Sequence, residues 1–209
     1  MRLEALLKLG QMTKASTKEL TDFALEEAVR LTDSTIGYFA FMNEDESVLS
    51  MYAWSRTAMQ ECAIQDKPIL YPVKDTGLWG EAVRQRAPVI TNDYEAPNQQ
   101  KKGYPEGHVR IRRHMNIPVF DEGRIVIVAG VGNKKTPYDE ADVRQLTLLM
   151  EGMWRILKRR EDENTLKRMR SYLQNIVDSM PSVLVAVNLD GTVTHWNLEA
   201  AHLTGLTEE

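Results

Sequence analysis

The chain has 209 residues, 43% of them apolar and 27% charged, with a formal net charge of -4. That is enough apolar material for one domain of ordinary size plus a smaller piece. A slightly acidic balance argues against nucleic acid or an anionic membrane as the main partner, since both demand a basic excess. The single cysteine, Cys62, excludes an internal disulfide and suits a reducing compartment.

Two helices are expected first. Leu3, Leu6 and Leu7 recur at helical spacing. Thr17 is read as the N-cap of a second helix whose stripe is Leu20, Phe23, Ala24, Ala28 and Leu31. Two strands follow, over 34–42 and 47–55, joined by the polar loop NEDE as a hairpin. A short helix over 57–63, an extended piece over 69–73, a helix over 78–86 and the strand PVITN come next. The segment DYEAPNQQKKGYPEG is long and irregular, the composition of a lid or binding loop.

Strands over 110–120 and 124–133, separated by DEG, form a second hairpin. The run IVIVAGVG is apolar on both faces, so it is expected at the sheet centre. Asp139 is placed to cap a helix that nothing breaks until Pro181. That helix carries two apolar stripes out of register: Val143, Leu146, Met150, Met153 and Leu157, then Leu166, Met169, Leu173, Ile176 and Met180. The wholly polar KRREDEN lies between them. The first stripe packs on its own sheet or continues a dimer seam. The second has no local core and reads as a parallel coiled coil with a second copy. The closing segment SYLQNIVDSMPSVLVAVNLDGTVTHWNLEAAHLTGLTEE reads as helix, strand, Asp-Gly turn, strand and helix. Two strands and a helix bury no core of their own, so a longer multi-domain protein is expected.

Arg113 is the sharpest anomaly. It alternates with Ile111, Met115, Ile117 and Val119 on what reads as one apolar strand face. A covered arginine requires a carboxylate or an anionic ligand. One reading is a polar pocket in which Arg113, with His108 or Lys102, binds an anionic group. The other is an internal Arg113–Asp93 ion pair with the loop lysines in solvent. Trp54, Trp79 and Tyr94 are candidate wall aromatics, and equally candidate core residues. Cys62 could serve as a redox centre, a haem ligand or a nucleophile, but a buried inert thiol is the preferred reading. His108, His114, His195 and His202 form no ligand-spaced pair, so no metal is expected. Gly130 and Gly132 make a short Gly-x-Gly without a dinucleotide or Walker context.

The segments YFAFMNEDESVLSMYAWS, GLWGEAVRQRAPVITNDY, KKGYPEGH and VGNKKTPYDEADV resemble a GAF domain of the kind found in bacterial sensor kinases and diguanylate cyclases. VDSMPSVLVAVNLDGTVTHWNLEAAHLTG resembles the opening of a PAS domain. The resemblance implies an α+β fold: a six-stranded antiparallel sheet with flanking helices and a small-molecule pocket on the opposite face, a long connecting helix, and an incomplete PAS segment. The implied organisation is 1–157 GAF, 158–180 connecting helix and 181–209 PAS. Asn133-Lys134 and Tyr138-Asp139-Glu140 approximate a family motif in which the lysine pairs with the acid and pins a strand to a helix; cyclic nucleotide binding is not implied. GAF-fold methionine sulfoxide reductases use cysteine chemistry with a resolving partner that this chain lacks, and the motifs around the bilin cysteine of phytochromes are missing.

The resulting expectation is a cytoplasmic, non-enzymatic input module, with a sensor histidine kinase as the leading output. Its ligand site would comprise Trp54, Trp79, Asp93, Tyr94, Lys102, His108 and Arg113. No cofactor is named. The expected partners are an unidentified small molecule and a second copy, joined through the N-terminal and connecting helices. No nucleic acid and no membrane insertion are expected. The rival reading is a ligand-free dimerisation spacer.

Overall fold

The computed structural model describes residues 2–62, 69–103 and 107–206. It falls into two compact units, Met1–Leu157 and Lys158–Glu209, which are taken in turn.

The first unit begins with α1 (Arg2–Gln11) and α2 (Thr17–Leu31). Ser16, not Thr17, is the N-cap of α2. Its hydroxyl accepts from Glu19 N at 3.2 Å while the Glu19 carboxylate accepts from Ser16 N at 2.8 Å. This reciprocal box satisfies two amides that the helix itself cannot. Strands β1 (Ile36–Met42) and β2 (Val48–Trp54) make the first hairpin. Helix α3 (Arg56–Glu61), capped by Ser55, follows. β3 (Leu70–Pro72), two turns of 3-10 helix at 73–75 and 78–80, and α4 (Glu81–Arg84) lead to β4 (Val89–Thr91).

β5 (His114–Asp121) and β6 (Arg124–Gly132) form the second hairpin. Glu122 and Gly123 both hold positive φ, 51° and 80°. Such a two-residue turn matches strand twist, and glycine adopts that conformation without strain. The sheet is antiparallel throughout, in the order β3-β2-β1-β6-β5-β4, so the expected six strands are present and β6 is central.

The two faces of this sheet differ. Phe39, Met115, Ile117, Val119, Ile127 and Ala129 point to one face and pack against Leu9, Leu20, Leu25, Leu146, Leu149, Met150 and Met153 of the helices. The first apolar stripe of the long helix α5 (Glu140–Ser179) is therefore core. On the other face, Ala40, Leu49, Val73, Val83, Ile125 and Val128 form a smaller cluster beside the 73–86 segment.

The start of α5 is pinned to the end of β6. Asp139 Oδ1 accepts from Ala141 N and Asp142 N, capping the helix as expected. Lys134 Nζ meets both Asp142 oxygens, at 2.7 and 2.6 Å. The partner acid is thus Asp142 rather than the Asp139-Glu140 pair. The reason is helical geometry: Asp142 lies far enough into the first turn to face Lys134, while Asp139 is occupied by the cap.

In the second unit, β7 (Val185–Val187) and β8 (Val193–Trp196) pair antiparallel through a turn with Gly191 at φ 86°, followed by α6 (Leu198–Thr204). Asn197 organises it. Fully buried, it caps α6 at Ala200 N, accepts from Leu184 N, and donates to the carbonyls of Ser182 and Val177. The second stripe of α5 is exposed at every position, from Leu166 at 70% to Ile176 at 37%.

Candidate functional site

The face of the sheet away from α1, α2 and α5 carries a partly open cavity of about 650 Å³. Its floor is β1, β6 and β5. One wall comes from β2 and α3 with Met51, Trp54, Ala58 and Cys62; the opposite wall is the 71–79 segment with Tyr71, Asp75, Thr76 and Trp79. The β4–β5 loop covers it with Tyr94, Lys102, His108, Val109 and Ile111. The volume and the aromatic, mostly apolar lining are those of a small-molecule site.

Glycine makes the floor possible. Tyr38, Gly130 and Asn116 lie at one level across β1, β6 and β5. A Cβ on Gly130 would fall 2.2 Å from Asn116 Oδ1 and 2.4 Å from Tyr38 Cε1, so only glycine lets the two side chains meet above the central strand. They do meet: Tyr38 Oη donates to Asn116 Oδ1 at 2.6 Å. Asn116 Nδ2 in turn bonds His114 Nε2. The result is a continuous polar line on an otherwise apolar floor. Burial pushes the His114 pKa down to about 4, so its ring is neutral, and burial likewise raises that of Tyr38. His114 is 7% exposed, and its Nδ1 is buried without a hydrogen-bond partner among the described residues.

The walls are braced. Arg84 donates to the carbonyls of Val73 and Gly77 at 2.8 and 2.7 Å and to Thr76 Oγ1 at 3.0 Å, fixing the 73–77 wall. Lys102 Nζ donates to Lys74 O at 2.9 Å and ties the cover loop to that wall. Trp79 meets Tyr38 and Tyr71 edge-to-face at 6.0 and 5.1 Å. Tyr94 stands edge-to-face against the His114 ring at 5.9 Å. His108 Nδ1 bonds Val109 O at 2.7 Å.

Of the seven residues named from the sequence, Trp54, Trp79, Tyr94, Lys102 and His108 line this cavity. Arg113 and Asp93 do not. Arg113 sits just before β5, and the face it was grouped with, Met115, Ile117 and Val119, belongs to the helix side of the sheet. Its guanidinium donates to the carbonyls of Lys134 and Lys135 at 3.4 and 3.3 Å. Asp93 is exposed and accepts from Glu95 N and Ala96 N, shaping the start of the loop. The geometry thus matches neither the anion pocket centred on Arg113 nor the Arg113–Asp93 pair. Cys62 is half-buried on the cavity wall rather than enclosed in the core. Tyr38 and Asn116 escaped the sequence reading, and His114 and Gly130 were noted there without a place in a cavity. Their signal was two polar residues at alternating strand positions opposite a glycine in an apolar strand.

Among the described residues no cluster of three metal-ligating side chains occurs, and no helix is long and apolar enough to cross a membrane. The sheet order, the packing of α1, α2 and α5 on one face and the cavity on the other define an architecture seen in many solved structures. The GAF domain family matches residues 14–158, and the chain belongs to that family. It is 62% identical over 182 residues to the methyl sulfide methyltransferase-associated sensor of Methanosarcina acetivorans, which covers 87% of this chain but only 18% of that protein. The chain thus spans about a fifth of that relative's length. Among solved structures, the GAF domain of a phosphoenolpyruvate-protein phosphotransferase from Coxiella burnetii superposes with TM-score 0.61 at 14% identity, over 78% of this chain and 96% of that one. The free methionine-R-sulfoxide reductase of Neisseria meningitidis, in complex with its substrate, gives 0.55 at 15% identity, over 73% and 85%. At such identities the likeness is one of fold.

Proposed function

We propose that the chain is the sensory input module of a signal-transduction protein, in which a small molecule held in the GAF cavity biases the packing of α5. The cavity carries the proposal: a domain used only as a spacer has no need of a braced 650 Å³ chamber with polar groups on its floor. The name of the Methanosarcina acetivorans relative, a sensor, supports the same reading. The output beyond this segment is read as a histidine kinase, and the second unit as the opening of a PAS domain. Val185, Val187 and Val193, exposed at 43–59%, would pack against the rest of that domain.

The relay requires a second copy. Leu166, Met169, Leu173, Ile176 and Met180 make an exposed seam of alternating three- and four-residue steps, and Leu3 and Leu7 of α1 are also exposed. With the first stripe committed to the domain core, a paired second stripe gives occupancy of the cavity a helix whose packing it can bias.

Native mass spectrometry of the purified chain, compared with its denatured mass, tests the ligand. A retained small molecule supports the module; a dimer of unmodified mass, unable to bind any member of a metabolite panel, favours the spacer. Leu166→Cys and Leu173→Cys test the seam, with the parent chain as control for Cys62. Rapid disulfide formation within each dimer is expected, and monomeric variants that never cross-link would rule out a parallel pair.

A further inference from the structure

The polar line on the cavity floor has a direction. Asn116 Oδ1 accepts from Tyr38, so its amide nitrogen donates to His114 Nε2. A neutral imidazole that accepts at Nε2 carries its proton on Nδ1. That Nδ1–H is buried, closed off from water and unpartnered among the described residues, in a ring that forms part of the cavity lining. Buried donors are normally satisfied, and one left over at a ligand cavity marks where the ligand completes the line.

We propose that His114 is the specificity-determining donor of the cavity, presenting Nδ1–H to a ligand that is largely apolar or aromatic and carries an acceptor such as a ketone oxygen. The proposal rests on the reading of the cavity as a ligand site. Tyr94 stands edge-to-face against the imidazole at 5.9 Å, and binding requires that ring to turn aside to admit the acceptor to Nδ1. The backbone around it stays put, because Tyr94 N bonds Arg112 O at 2.9 Å and Lys101 Nζ bonds Tyr94 O at 2.5 Å. Tyr38 and Asn116 act through His114 as positioning residues: they hold its tautomer and do not themselves meet the ligand's acceptor.

Two measurements on the 209-residue chain test this. Long-range proton–nitrogen NMR of labelled histidine reads the tautomer without any ligand. The Nδ1–H form is expected for His114, and the Nε2–H form would overturn the assignment. Binding is then followed with prodan, a dimethylaminonaphthalene bearing one propanoyl ketone, and with its propyl analogue, in which a CH2 replaces the ketone and the carbon skeleton is unchanged. The chain should hold prodan about tenfold more tightly, the net worth of one hydrogen bond. His114→Phe should erase that preference while still binding the ketone-free probe, and His114→Gln, which retains an amide donor, should restore part of it. An unchanged preference in His114→Phe, or equal binding of both probes by the parent chain, defeats the donor role alone. Binding of neither probe by the folded parent chain defeats the cavity reading together with this one.

Discussion

Replacing Gly130 by alanine puts a single methyl group between the Tyr38 and Asn116 side chains on the cavity floor. The added carbon falls 2.2 Å from Asn116 Oδ1 and 2.4 and 2.7 Å from two atoms of the Tyr38 ring, against ordinary contact at 3.4–4 Å. Both neighbours must therefore retreat by about an ångström, which neither can do while keeping the 2.6 Å bond between them. Overpacking of this kind costs about 1–3 kcal/mol. Stranding the fully buried Asn116 amide adds about 1–3 kcal/mol. The lower backbone entropy of alanine in the unfolded chain offsets about 0.5–1 kcal/mol. The net expectation is a loss of about 3 kcal/mol, read as a lower urea midpoint of the first unit with little change in slope. Gly10→Ala provides the control, because its added carbon meets nothing within 4 Å. There the same substitution within α1 should stabilise by about 0.5–1 kcal/mol. A Gly130→Ala chain as stable as its parent would refute the account of the floor.

Acid should weaken the first unit through His114. Its folded pKa, about 4, lies below the 6.5 of an ordinary histidine, so the unfolded chain takes up the proton first. Its contribution is therefore full above about pH 6.5 and is lost as pH falls toward 4, on the order of 3 kcal/mol in all and about 2 kcal/mol by pH 5. Urea titrations at pH 8 and pH 5 should show that loss, and His114→Phe should flatten it; an equally steep profile in the variant would assign the effect elsewhere. The buried Lys134–Asp142 pair, with side chains 14% and 4% exposed, predicts a loss of about 3–5 kcal/mol for Asp142→Leu, since the stranded ammonium stays inside. Adding Lys134→Met should recover much of it. A double variant no better than Asp142→Leu alone would show that the pair is not what costs the energy.

Local pattern and short-range chemistry carried the secondary structure a long way. Alternation located β1, β2, β5 and β6 to within a few residues, the double-sided apolar run placed β6 at the sheet centre, and Asp139 announced α5. These features rest on interactions within a few residues or on one strand's own burial, and both are written along the chain. The aromatic wall residues and the loop over the cavity were legible for the same reason: long, polar and irregular segments seldom lack a task.

Arg113 shows where such reading ends. Period-two alternation says that Arg113 and Met115 share a face, but not which face looks at helices and which at a cavity. That choice depends on where α1, α2 and α5 dock, a matter of contacts between residues far apart in sequence. The opposite face turned out to be the floor, with His114 lining it and Asn116 buried beside it. Nor does the sequence reveal that Tyr38 meets Asn116, 78 residues away, across a glycine on a third strand. Strand register brings those three residues to one level, and register is settled only when the whole sheet closes. The chain by itself thus determined the elements and their order. Packing of the helices on one face of the sheet decided which side chains were left to line a cavity.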